Sequence, residues 1–395
     1  MRIAPTLRKS AAAVGLLTAL SFFLAGNASA HAVVESTEPI ANSVLDVSPA
    51  NVTLRFNEPV DTELGWVRVF DADGQRVVAA SVRHADSTNS VSSAMPELSS
   101  GGYVVVWRVV SSDGHPVEGA FTFQIGSGSS PVNPAMFNTV LTSQGGSELP
   151  GAVIGLMRVL GYIAAAVVIG IAVVGGFSDR AMRISAMLAL VSAIVHLLFL
   201  GAYSVGGSIG DVFHFAFLGD AIGTRAGLML LTRAGLFASV VALAGKVPVR
   251  AVAIAGAGAA FTVAFGGHSG AQSPAALMVM IGAVHIFSVW IWIGAVIVFA
   301  AVSRRDESYV GVSEFSRAMN IVLPAVVVTG VLTAGKNMDG WGHVFSETYG
   351  RLVIAKLAAV VLLLLAGLYL RRLLRTRQQG VRKLLAFEVL TGLCV

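Results

Sequence analysis

The sequence predicts a two-part protein: an all-β sandwich on the amino-terminal side and a polytopic α-helical membrane bundle of about eight helices, the last one incomplete. Three observations carry this expectation. The chain of 395 residues is 55% apolar and only 12% charged, whereas soluble proteins carry about 25% charged residues. Apolar runs long enough to cross a bilayer, about 20 residues each, recur after position 150. Before that point, short segments alternate apolar and polar residues or are rich in β-branched and aromatic ones, with turn signals between them.

Residues 1–30 read as a secretory signal peptide. Arg2, Arg8 and Lys9 form a basic start, Ala11 to Ala25 an apolar centre, and Ala28-Ser29-Ala30 a small-residue cleavage site. The alternative is an uncleaved first membrane helix, which the short apolar run and the polar domain after it disfavour. Cleavage after Ala30 makes His31 the first residue of the mature chain.

Residues 31–125 are expected to form the extracytoplasmic sandwich. Val52-Thr53-Leu54-Arg55-Phe56 and Phe121-Thr122-Phe123-Gln124-Ile125 alternate in period two, and Trp66–Phe70 and Tyr103–Val110 have strand composition. Asp71-Ala72-Asp73-Gly74 and Ser99-Ser100-Gly101-Gly102 are turn signals. Residues 126–150, which begin Gly-Ser-Gly-Ser-Ser-Pro, read as a flexible linker with a reach of roughly 25–30 Å.

Residues 151–395 form the expected membrane domain. Apolar runs fall near 151–174, 184–205, 226–245, 249–267, 275–302, 317–335 and 352–370, and an eighth begins near Leu384. Too few residues follow Leu384 for a full span, and the expectation is that the sequence is a fragment. Alternate loops carry Arg180 and Arg183, Lys246 and Arg250, Arg304 and Arg305, and a cluster from Arg371 to Lys383. The others hold Asp211, Asp220 and Asp339. Basic loops stay on the cytoplasmic side, so signal peptide and loop charge agree on a secreted head and a multi-pass cell-membrane domain. The net charge of +5 is thereby accounted for without nucleic acid.

Cys394 is the single cysteine. This excludes disulfides, multi-cysteine zinc sites and a thiolate trap for Cu(I) in the head. An N-terminal histidine offers an α-amine and a ring nitrogen as one chelating unit. His115 adds a third nitrogen and Asp113 an oxygen, and their spacing puts both side chains on one face of an extended backbone. Nitrogen and oxygen donors in a plane suit Cu(II). For Asp113-Gly114-His115 alone, an ordinary turn is the plainer reading; an exposed N-terminal histidine shifts the balance to the metal.

His196, His268 and His285 lie within predicted helices or at their outer edges, and Met278 precedes His285 by about two turns on the same face. An imidazole and a thioether on one cavity could relay copper inward, the thioether suiting Cu(I). Core packing is the competing reading. Arg158, Arg233 and Lys356 are costly in a bilayer, and Arg158 and Lys356 are expected to anchor at the interface.

His31-Ala32, Asn57-Glu58-Pro59-Val60 and Val109 through Val117 resemble the CopC copper-resistance family, over essentially the whole head. That resemblance implies a β-sandwich holding Cu(II) on His31, Asp113 and His115. The head's lone Met95 implies no methionine-rich Cu(I) site. Gly267-His268-Ser269, His285 with Trp290, Trp292-Ile293-Gly294, Phe315-Ser316, Thr348-Tyr349-Gly350-Arg351, Lys356 and Glu388 resemble the CopD family of bacterial membrane proteins. Such fusions imply copper uptake or homeostasis rather than catalysis, with copper ions and the lipid membrane as partners. A copper chaperone or reductase is a candidate partner that these residues do not identify. Two other classes are weighed against this: haem-based electron transfer on His196 and His285, and a copper oxygenase head, which the extra carboxylate of Asp113 disfavours.

Overall fold

A computed structural model describes residues 32–111, 114–127, 132–144, 147–175, 178–270, 272, 274–305, 312–336, 344–345, 350–361 and 365. The head has strands β1 (Val34–Glu38), β2 (Val44–Leu45), β3 (Asn51–Phe56), β4 (Val60–Asp71), β5 (Arg76–Ser81), β6 (Arg83–His84), β7 (Ser90–Ala94), β8 (Gly101–Ser111) and β9 (Pro116–Ile125). One sheet has the order β1-β3-β7-β6 and the other β2-β9-β8-β4-β5. Pairing is antiparallel except between β2 and β9.

Period-two alternation decides what each sheet buries. On β3, Val52, Leu54 and Phe56 turn inward. They meet Tyr103, Val105, Trp107 and Val109 of β8, and Phe56 packs edge-on to Trp107 with ring centroids 5.5 Å apart. The alternate residues of β8, Val104, Val106, Arg108 and Val110, lie on the outer face of their sheet, and that face is covered as well. Continuous apolar character in Tyr103–Val110 therefore reflects a strand buried on both sides.

Two different elements cover the outer face. Helix α1 (Pro134–Gln144) lies within the stretch read as flexible coil, and corrects that expectation over its length. Met136, Phe137 and Val140 form a stripe at helical spacing that packs on Phe70, Val104 and Val106. Burying the stripe outweighs the coil tendency of the Gly- and Ser-rich sequence before it. The rest of the face, Arg108 and Val110, meets the bundle.

The bundle comprises α2 (Glu148–Val174), α3 (Asp179–Val205), the short α4 (Phe215–Gly223), α5 (Arg225–Leu243), α6 (Val249–Phe265), α7 (Ala275–Arg305) and α8 (Val312–Lys336), with helical backbone again at 350–361. Single 3-10 turns occupy Ile209–Phe213 and His268–Gly270. Among the described residues, five helices are long and apolar enough to cross a membrane, and the 17-residue Val249–Phe265 is a shorter apolar helix. This is a membrane protein. Ser147, Ser178 and Thr224 cap α2, α3 and α5, each accepting a backbone N–H through its side-chain oxygen. The eighth apolar run lies outside the described residues.

The head sits on one end of the bundle. Leu64 and Val110 pack on Leu197, Leu200, Ala221 and Leu230. Leu64 reaches them because the ladder between β4 and β8 is interrupted between Asp61 and Trp66. Three successive carbonyls at the end of α3 accept bonds from the head: Arg108 Nη2 donates to Tyr203 O at 2.9 Å, Arg108 Nε to Ser204 O at 2.7 Å, and Trp66 Nε1 to Val205 O at 3.4 Å. These carbonyls lie in the last turn, where the i to i+4 ladder runs out and, within the helix, Tyr203 O takes a bond only from the C-cap Gly206 N–H at 3.2 Å, and the helix dipole makes that end negative. A guanidinium only 6% exposed is therefore well matched to it, with Glu118 bonded to its other side. Arg180 and Arg183 near the start of α3, Lys246 after α5 and Arg250 at the start of α6 are at the opposite end.

Candidate functional site

His115 follows a tight turn between β8 and β9, in which Gly114 N–H donates to Ser111 O and Ser111 N–H to His115 O, each at 2.8 Å. Gly114 has φ +83°, a conformation that favours glycine, and a Cβ there would stand 3.0 Å from Ala226 Cβ. The turn thus presses directly on α5. His31 and Asp113, the other expected head ligands, lie outside the described residues. Among the described residues, no three His, Cys, Asp or Glu side chains are gathered to hold a metal.

His115 opens into a cavity of about 170 Å³ between head and bundle. His196 from α3, Met229 from α5 and His268 from the 3-10 turn line it, as do Arg158, Arg233 and Tyr162. Three histidines distant in sequence thus share one space. His268 Nδ1 is 4.0 Å from Glu58 of the head, whose other oxygen accepts from Ser111 Oγ at 2.6 Å. Met229 was not singled out from the sequence, since nothing local distinguishes it from a packing methionine.

Arg158 is better placed than a simple interface anchor. Its Nη1 lies 3.0 Å from His115 Nε2. A guanidinium can only donate, so Nε2 accepts and the proton of this neutral imidazole resides on Nδ1. Arg233 Nε donates to Thr262 Oγ1 at 3.0 Å.

A second, larger space of about 410 Å³ lies deeper among α2, α6, α7 and α8. His285, Trp290, Trp292, Thr333 and Lys356 line it, and Tyr162 and Val263 belong to both cavities. His285 Nδ1 is 2.9 Å from Thr329 Oγ1, which donates its one proton to Ala325 O at 2.5 Å. Nδ1 must therefore be the donor, and Nε2 keeps the lone pair a metal would need. Met278 is 2% exposed and is not among the described lining of that cavity. The expected pairing of Met278 with His285 in one space is not formed: the two share a helix face, but two turns from His285 that face is covered by packing and Met278 is buried. His196 and His285 line different cavities with Tyr162 and Trp290 between them. That placement disfavours one haem bridging the two.

Outside the membrane, burial pushes the Asp61 carboxyl above the ordinary carboxylate range, with Arg225 pulling in the opposite direction. Its Oδ2 is buried with no hydrogen-bond partner among the described residues. Asp61 and Arg108 escaped notice in the sequence, though a lone arginine within Val104–Val110 was a visible signal.

Residues 34–126 match the model of the CopC domain, and residues 311–395 match the model described as copper resistance protein D. The chain belongs to the family of CopC–CopD fusions. The copper transport protein CutJ of Bacillus subtilis (strain 168) is 22% identical over 407 residues, spanning 94% of this chain and 74% of its own length. The copper resistance protein C of Escherichia coli is 30% identical over 127 residues, covering 30% of this chain and 97% of that protein. Among solved structures, CopC from Methylosinus trichosporium OB3b is 34% identical, with a TM-score of 0.23, over 26% of this chain and 97% of that one. The CopC match ends at residue 126, just after β9. The CopD match begins beside α8, so His196, His268 and His285 fall between the two.

Proposed function

We propose that the CopC head captures Cu(II) outside the cell membrane on the His31 amine and ring, Asp113 and His115, and that the bundle carries copper inward past His196 and His268 towards His285. The observation that supports this reading most is the shared cavity, which places a head histidine and two bundle histidines around one space. The head offers nitrogen and oxygen donors that suit Cu(II), and Met229 adds a thioether that suits Cu(I). A reductase or copper chaperone would be the protein partner such a change of oxidation state calls for. No Walker-type motif occurs in the sequence, which favours passive or gradient-coupled passage. Arg158 and Arg233 line the same cavity and raise the energy of a free cation there. Copper would therefore move between imidazoles in a gated passage rather than through an open pore.

Whole-cell copper in copper-starved cells tests the reading. Cells with the protein should accumulate more copper than cells without it, and His196→Ala with His268→Ala should remove the difference while leaving Cu(II) binding by the head intact. Unchanged uptake in that double variant would defeat the relay. Inserting one alanine between Ala30 and His31 should weaken Cu(II) binding far more than His84→Ala, because His84 sits on an exposed strand; equal effects would remove the proposed donor set. Binding should also fall as the medium is acidified, since amine and imidazole must lose protons to coordinate.

A further inference from the structure

The contact between Arg158 and His115 reaches beyond anchoring. We propose that Arg158 makes docking of the head and metal loading at His115 mutually exclusive, so that seating the head on the bundle expels the ion. This rests on the reading of His115 as a copper ligand.

The argument follows from the donors available on an imidazole. In the docked head, Nε2 accepts from Arg158 Nη1 at 3.0 Å. If copper binds Nε2, metal and guanidinium compete for one lone pair. If copper binds Nδ1 of the neutral ring, the proton moves to Nε2, which then faces an N–H donor that has no acceptor capacity. A bound cupric ion also brings positive charge next to the guanidinium. Each mode of coordination thus conflicts with the contact, and no tautomer of a singly coordinated neutral ring satisfies both.

Docking holds His115 against Arg158 through contacts on several sides. The Arg108 bonds to Tyr203 and Ser204, the Trp66 bond to Val205, and the Leu64–Val110 cluster hold the sheet on the bundle. Gly114 packs against Ala226 and presents His115 towards the helix that carries Arg158. An ion displaced there borders the cavity that His196, Met229 and His268 line. Arg158 is thus a positioning residue that acts on a ligand, not a ligand itself.

The test uses the full chain in lipid nanodiscs, with Cys394→Ser, and copper(II) chloride titrated against a chromophoric chelator. Glu63→Cys with Gly223→Cys gives a lock, because a Cβ at Gly223 would be 3.9 Å from Glu63 Cγ across the interface. The disulfide is closed with a thiol oxidant before copper is added. Locking should weaken Cu(II) binding about 10- to 100-fold relative to the Cys394→Ser chain that keeps Glu63 and Gly223 and so holds no thiol for copper to oxidise, the worth of one hydrogen bond to a charged group. Arg158→Met in the locked chain should restore it, with the nitrogen hyperfine pattern of the unlocked protein in the EPR spectrum, and Arg158→Lys should not. Without engineered cysteines, Arg108→Met should tighten Cu(II) binding by undocking the head and make a further Arg158→Met silent. Equal affinity in the locked chain and in the thiol-free Cys394→Ser chain, or no recovery with Arg158→Met, would overturn the proposal. His115→Ala separates the two levels. If it leaves Cu(II) affinity unchanged, the copper-site reading itself fails; if it weakens binding and the lock does not, only the exclusion device fails.

Discussion

The head and the bundle solve the packing problem with opposite materials. In the head, the space between sheets is filled by Phe56, Trp107, Phe121, Phe123 and a set of valines. In the bundle, one core sets Ala164, Ala165, Ala166, Ala189, Ala259 and Ala260 around Ile169, Phe237 and Trp290, and α2 and α7 touch through Gly170 and Gly294. A Cβ on Gly294 would fall 1.7 Å from Ala166 O, and one on Gly170 2.2 Å from Gly294 O. The environment explains the difference. Facing sheets stand about 10 Å apart and are drawn together by removing large side chains from water. Helices in lipid gain little from burying apolar surface, so they gain from backbones that approach closely over small residues. Where the two parts meet, neither device is used alone: charge and helix-end carbonyls join a small apolar cluster.

Four substitutions sharpen or break this contrast. The largest effect is expected from Gly294→Val, which must force α2 and α7 apart against backbone atoms; folded protein should fail to accumulate in the membrane, as read by size-exclusion chromatography in detergent. A normal elution profile would show that the glycine contact is dispensable. Trp107→Ala should cost the head about 3–5 kcal/mol, the usual range for deleting a buried tryptophan. Limited proteolysis should then remove the head and spare the bundle, whereas joint loss would mean the two cores are not separable. Arg108→Met should cost about 3 kcal/mol of docking by removing the charged donor to Tyr203 O and Ser204 O. Its readout is the yield of the Glu63→Cys, Gly223→Cys cross-link, with head stability itself nearly unchanged.

The smallest effect concerns Asp61. Its carboxyl is raised in the folded protein, so the docked state favours the protonated form. Docking should be tightest in acid and weaken as pH rises from the ordinary carboxylate value through the raised one. Asp61→Asn should flatten that dependence. A cross-link yield with the same pH profile in both proteins would assign the dependence to another group.

Local pattern made much of the head legible. The alternation of Val52–Phe56 and Phe121–Ile125, the composition of Trp66–Phe70 and Tyr103–Val110, and the turn at Asp71–Gly74 all reappear as strands and a turn, with Asp71 Oδ1 accepting from Asp73 N and Gln75 N. The apolar runs likewise locate the described long helices of the bundle, though not the short α4. Helix α1 was missed because a short amphipathic stripe beside Gly- and Ser-rich sequence gains its stability from the sheet it covers, not from its own propensity. For the candidate site, the sequence pointed to His115, His196 and His268 as separate residues. It could not show that they line one cavity, nor that Met229 joins them in place of Met278.

Composition and periodicity by themselves determined the fold class, the positions of the apolar spans and the kinds of donor the head can offer. These depend on neighbours within a few residues, where the geometry of strand and helix is fixed. Tertiary structure alone decided that the head is seated on the bundle, that Arg108 closes the end of α3, and that Arg158 occupies Nε2 of His115. Those contacts join residues 95, 96 and 43 positions apart. At such separations no repeat in the sequence records the pairing, and only the packing of the two domains brings donor to acceptor.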